Sequence, residues 1–139
     1  MKKYKIGYTT GVFDLFHVGH LNILKRAKEQ CEYLIVGVST DELVLEYKKT
    51  LPFIPYEERK QIIEAIKYVD EVVPQLTINK IDAFEKYKFN ALFHGDDWKN
   101  SKLYNEIEKF FLDKGVELVF IPYTKNVSSS KLKDKINKQ

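Results

Sequence analysis

Short apolar runs that alternate with stretches of helical period constrain this chain more tightly than any other property of its sequence. "YKIGYTTG" (4–11) reads as a buried strand, and Leu21, Ile23, Leu24 and Ala27 then mark one face of a helix ending near Cys31. "YLIVGVST" (33–40) is a second strand, rich in β-branched residues and followed by the turn-forming "STDE". A proline-flanked loop, "KKTLPFIP", leads into "YEERKQIIEAIKYV", where Ile62, Ile63, Ala65 and Ile66 again have helical spacing. "DEVVPQL" and "NALFHGDDW" supply two short strands around a helix near 79–88. "SKLYNEIEKFFLDKG" is a helix stopped by Gly115, "VELVFIP" (116–122) a last strand and "SSSKLKDKI" a last helix.

Strands that are apolar almost throughout and separated by helices predict an α/β fold, a doubly wound, Rossmann-like sheet of about five parallel strands with helices on both faces. At 139 residues, 44% of them hydrophobic, the chain suits a single domain, 1–139, with one proper core. In such sheets the ligand lies beyond the carboxyl ends of the strands. The segments after residues 11, 39, 95 and 122 are therefore expected to meet in one crevice. The polar clusters "GVFDLFHVGH", "STDE", "HGDDW" and "YTKNVSSS" fall at those places.

Charge narrows the choice of partner. The 23 lysines and arginines against 20 acids leave a net +3, mixed along the chain rather than gathered in a stripe. That argues against a nucleic-acid binder and is compatible with a site for a small anion. Cys31 is the sole cysteine, read as a buried or half-buried helix-end residue. With no signal-peptide pattern and no long apolar run, it makes the cytoplasm the expected compartment and a membrane partner unexpected.

"GVFDLFHVGH" (11–20) holds two of the three histidines. Read blandly, His17 and His20 are helix-cap and surface residues. Their i, i+3 spacing also places both imidazoles on one side of a first helical turn, where free amides and the helix dipole favour an anion. Gly11 is expected to turn the backbone out of the strand, and Gly19 to remove a side chain from between the rings. Two imidazoles donating to phosphate oxygens would stabilise charge on a phosphorus in transit. A zinc site would need further ligands, and only His94 remains.

The stretch resembles the HxGH signature of the nucleotidylyltransferase superfamily, and the rest of the chain is similar to its cytidylyltransferase branch, the small bacterial glycerol-3-phosphate cytidylyltransferases. The matching segments are "FDLFHVGHLNILKRAK", "YLIVGVSTDE", "YEERKQIIEAIKYVDEVVP", "HGDDW" and "TKNVSSSKLK". The resemblance implies transfer of CMP from CTP to a phosphate monoester, with release of pyrophosphate and no covalent enzyme intermediate. Mg²⁺ is implied as counter-ion to the triphosphate, and a homodimer as the assembly. No side-chain cluster is expected to bind the metal.

By the same resemblance His17 and His20 grip the α and β phosphates. Thr10, Gly11, Val12, Phe13 and Gly19 line the nucleotide, and Asp14 orders the loop or meets the metal-bound phosphates. Lys49 touches CTP and Lys48 the acceptor, from a loop one residue longer than the family's. As plain chemistry, a lysine pair there is as often solvated charge. Lys80 is a further acceptor candidate. Arg59 becomes a nucleotide or phosphate contact. Asp96 accepts from base or ribose, while Trp98 packs and His94 has no assigned role.

In "YTKNVSSSKL" one serine caps a helix. Thr124, Val127, Ser128, Ser129 and Ser130 match the family pattern Arg-Thr-x-Gly-Ile-Ser-Thr-Thr. Tyr123 replaces its arginine and Asn126 its glycine, with Lys125 the candidate substitute charge. Lys67 stands where the glycerol enzymes carry another arginine, which leaves the acceptor open between glycerol phosphate, phosphoethanolamine and other polyol phosphates. ATP as donor, and a nucleotide-binding regulatory module with weakened catalysis, are the remaining alternatives.

Overall fold

The computed structural model describes residues 2–95, 102–122 and 129–137. In chain order the elements are β1 (Tyr4–Gly11), α1 (Val18–Gln30), β2 (Cys31–Ser39), α2 (Asp41–Lys48), α3 (Tyr56–Glu64), β3 (Glu71–Gln75), α4 (Lys80–Tyr87), β4 (Ala91–Gly95), α5 (Lys102–Leu112), β5 (Glu117–Ile121) and α6 (Ser129–Asn137). The five strands form one sheet in the order β3-β2-β1-β4-β5, and every pairing is parallel. The expected doubly wound α/β sheet is present.

Alternation along the strands builds the two layers. Leu34, Val36, Val38, Ala91 and Phe93 join Leu24 and Ala27 of α1 and Ile63 of α3 in one core. Tyr8, Ile35, Val73 and Leu92 point the other way and pack with Phe89 and with Ile107 and Phe111 of α5. Continuing that second parity to the strand ends places Thr10, Ser39, Gln75 and His94 on the α4–α5 face at the carboxyl edge. The crossover that splits the sheet order lies between β1 and β4, where a ligand crevice belongs.

Two boundaries differ from the sequence reading. "STDE" opens a helix rather than a turn: Thr40 accepts from the Leu43 amide at 3.2 Å as an N-cap, and Asp41 and Glu42 occupy the favourable first turn of α2. Lys48 is therefore the last residue of α2, and Lys49 ends it in a left-handed conformation at φ 65°. The helix of α3 stops at Glu64, because the chain tightens into Ile66–Ile63 and Val69–Ile66 bonds that carry Ile66 and Val69 against the core. Cys31 is fully buried and opens β2, its thiol donating to the Ala27 carbonyl at 3.3 Å.

Candidate functional site

The segment between β1 and α1 is wound tightly. Gly11 is still strand, and the left-handed residues are Phe13 (φ 56°) and Leu15 (φ 51°). The turn expected of Gly11 thus falls two residues later. What the glycine provides is room, since a Cβ there would sit 3.0 Å from the Phe13 ring. Asp14 is buried, and its two carboxylate oxygens accept from the Phe53 and Ile54 amides at 2.8 and 2.9 Å. Of the two roles foreseen for Asp14, these bonds fit the ordering of the loop after α2.

His17 is the N-cap of α1. Its Nδ1 accepts from the Gly19 amide at 3.0 Å, and Nδ1 of His20 accepts from the His17 amide at 3.3 Å, a reciprocal capping box built of two imidazoles. Because each Nδ1 is an acceptor, the proton of each neutral ring sits on Nε2. The rings stack with centroids 4.0 Å apart, and Phe13 and Phe16 flank His20 at 5.4 and 5.3 Å. Burial keeps both rings neutral. It lowers the His17 pKa, and takes His20 down to about 4 with help from His17 and against the pull of Asp14. The Nε2 of His17 is buried and has no hydrogen-bond partner among the described residues.

His20 opens onto a crevice of about 530 Å³ at the carboxyl ends of β1, β2 and β4. Thr10, Gly11, Val12 and Phe13 form its central wall, Lys48 and Tyr47 come from α2, and Lys80, His94, Ser39 and Gln75 line the α4 side. Lys80 is buried and donates from Nζ to Thr10 Oγ1 at 2.6 Å, and desolvation lowers its pKa to about 7. Burial, with Lys80 close by, takes His94 down to about 3. Ser39 donates to Gln75 Oε1 at 2.6 Å inside this wall. Lys49 is exposed at the end of α2 and is not part of the lining.

Two sequence-derived placements need correction. Arg59 has no accessible surface. Its Nε donates to Ile54 O at 2.8 Å, Nη1 to Val12 O at 2.7 Å and Ser39 O at 2.8 Å, and Nη2 to Asp41 at 2.6 Å. The guanidinium is spent on the walls of the crevice instead of facing a phosphate within it. Helix neighbours Glu57 and Glu58 hid this, because the arginine's acceptors lie on four other segments. Lys67 is exposed in the turn before β3, next to Asp70, which accepts from the Leu34 amide at the start of β2 and from Lys28 at the end of α1. It therefore sits at the amino-terminal edge of the sheet, opposite the crevice, and reaches no acceptor there within one chain.

The family model described as cytidylyltransferase-like matches residues 8–135. The chain belongs to the cytidylyltransferase-like family. It is 40% identical over 131 residues to the glycerol-3-phosphate cytidylyltransferase of Bacillus subtilis, covering 92% of this chain and 94% of the relative. With the Staphylococcus aureus enzyme of the same name identity is 36% over 130 residues, covering 92% of both. Mouse ethanolamine-phosphate cytidylyltransferase is 40% identical over 88 residues, 63% of this chain and 22% of that one. Among solved structures, a lipopolysaccharide core biosynthesis protein from Thermoplasma volcanium superposes with a TM-score of 0.72 at 22% identity, covering 89% of this chain and 99% of that one, a likeness of fold.

In this cytidylyltransferase-like chain Asp96, Tyr123, Thr124, Lys125, Val127 and Ser128 lie outside the described residues, as do Trp98 and Asn126. Ser129 and Ser130 open α6. The sequence reading gave no role to His94, Ser39, Gln75 or Tyr47, which the crevice includes. The signal that could have found three of them is parity, since Ser39, Gln75 and His94 extend the inward positions Ile35, Val73 and Leu92.

Proposed function

We propose that this chain is a nucleotidyltransferase that moves CMP from CTP onto the phosphate of a small phosphorylated alcohol, glycerol 3-phosphate or a similar compound, releasing pyrophosphate. The observation that carries the reading is the histidine pair. Two stacked neutral imidazoles, each with Nδ1 tied to a backbone amide and its proton on Nε2, stand at the mouth of a helix beside the crevice. Such fixed donors need no reorganisation when charge grows on the α-phosphorus. Supporting it, two relatives with which the chain aligns over 92% or more of their length are glycerol-3-phosphate cytidylyltransferases.

In this reading the acceptor phosphate oxygen attacks the α-phosphorus of CTP in line. The bond to the β-phosphate oxygen breaks, and pyrophosphate leaves with the electron pair. His17 and His20 hold the α and β phosphates, Lys49 at the end of α2 brings positive charge to CTP and Lys48 to the acceptor, and Thr10 to Phe13 support the nucleotide. Among the described residues no three His, Cys, Asp or Glu side chains converge on a common point that could hold a metal. In this reading Mg²⁺ would ride on the triphosphate and offset its charge.

We further propose a homodimer working in the cytoplasm, in the synthesis of a cell-wall or capsule polymer. No described helix is long and apolar enough to cross a membrane. The test is pyrophosphate release with Mg²⁺, CTP or ATP, and a panel of glycerol 3-phosphate, longer polyol phosphates and phosphoethanolamine. Turnover with CTP and a polyol phosphate is expected, and exclusive use of ATP refutes the cytidylyl reading.

A further inference from the structure

A second cavity, of about 210 Å³, lies between the end of β3 and α4 and has no part in the transfer described above. It shares one residue, Gln75, with the crevice. Ser39 Oγ donates to Gln75 Oε1 at 2.6 Å, so the amide's N–H groups are what this residue can offer a ligand at the junction. The central strand joins the two spaces as well. Thr10 lines the crevice, and Tyr8, two residues earlier on the same face of β1 and so about 6.6 Å away, lines the cavity. Their chemistry differs. The described lining of the crevice holds two lysines, Lys48 and Lys80, and no acid, which suits an anion. In the cavity Lys86 is matched by Asp82 four residues earlier on α4, so no net charge is presented.

We propose that this cavity is a subsite for the far hydroxyls of a polyol phosphate longer than glycerol phosphate, whose phosphate lies in the crevice. The inference rests on the transfer reading above and names its acceptor class. The rings of Tyr8 and Tyr87, stacked at 5.7 Å, give the cavity its apolar surface, and Thr77, Asn79 and Asp82 add a hydroxyl, an amide and a carboxylate. Aromatic surface for C–H bonds beside hydrogen-bonding groups suits a neutral chain that carries several hydroxyls. The volume is below the roughly 300–1,000 Å³ of a pocket that encloses a whole small molecule, so the cavity fits the end of a ligand whose other end lies elsewhere. A three-carbon alcohol is held by the crevice alone, and the cavity adds binding only for a chain that passes Gln75.

The test measures pyrophosphate release by the whole chain with CTP and either glycerol 3-phosphate or a five-carbon probe, ribitol 5-phosphate. The unaltered chain is expected to show a kcat/KM at least ~10-fold higher for ribitol 5-phosphate, the scale of discrimination that a few added pocket contacts provide. Ala83→Leu places a larger side chain in the cavity, and Asp82→Ala removes a carboxylate from it. Each is expected to raise the KM for ribitol 5-phosphate by about fivefold or more, while the KM values for glycerol 3-phosphate and CTP stay within about twofold. Thermal melting checks the fold of both variants, and Asp82, which is exposed, keeps the test open if the leucine variant does not fold. An equal or lower kcat/KM for ribitol 5-phosphate, turnover of phosphoethanolamine alone, or variants that change neither acceptor's KM or raise both alike, overturn the subsite. Failure of the unaltered chain to release pyrophosphate with any acceptor instead overturns the transfer reading.

Discussion

His17 and His20 each do two things with one ring: Nδ1 completes a helix cap and Nε2 carries the ring's proton as a donor. Either alanine variant is therefore expected to lower kcat by at least ~10²-fold, the scale of losing one fixed oxyanion donor, with a smaller change in CTP affinity. Near-normal turnover in both, measured by pyrophosphate release, would contradict the role given to them. Arg59 is the contrasting case. Its four hydrogen bonds all go to the protein, so Arg59→Ala leaves three carbonyls and a carboxylate without their donor. A loss of about 3–5 kcal/mol in urea unfolding is expected, with Arg59→Lys recovering part of it, since a single ammonium cannot reach acceptors arranged around a fork.

Among the elements, the loop between α2 and α3 is fastened to the histidine turn by Asp14. Asp14→Asn removes one of the two acceptor oxygens that hold Phe53 and Ile54, and amide exchange at those two residues is expected to quicken while that of β1 is unchanged. The central strand tolerates less. A Cβ on Gly7 would stand 2.5 Å from the Phe93 ring and 2.8 Å from Cys31 Sγ, so Gly7→Ala is expected to cost about 1–3 kcal/mol and lower the melting temperature.

The strands were legible because apolar runs such as "YKIGYTTG" and "YLIVGVST" cannot be buried on both faces any other way, and their limits fall within a residue or two of β1 and β2. The helix α2 was missed, since "STDE" is as good a cap as a turn, and only the packing of Leu43 and Val44 decides between them. The histidine pair was readable from i, i+3 spacing. Arg59 and Lys67 were not, because a side chain's partners across the fold leave no mark on its neighbours in sequence.

For the whole molecule, buried neutral imidazoles make stability depend on acid. The folded-state pKa values lie at about 4 for His20 and about 3 for His94, below the ordinary value of 6.5, so the unfolded chain binds protons first as pH falls. Stability is expected to decline from about pH 6.5 towards pH 4. His94→Gln is expected to shallow that decline in melting temperature measured across the range, and a parallel profile for the two proteins would count against it. The order β3-β2-β1-β4-β5 has a further consequence during synthesis. The strand at the middle of the finished sheet is the first made, and Thr9 meets its Phe93 partner only 84 residues later. At the usual pace of translation, about 5–20 residues per second, one side of β1 stands unpaired for roughly 4–17 seconds. During that interval it is an open edge on which another nascent chain could add, so the production of this protein carries an aggregation hazard that its folded form does not display.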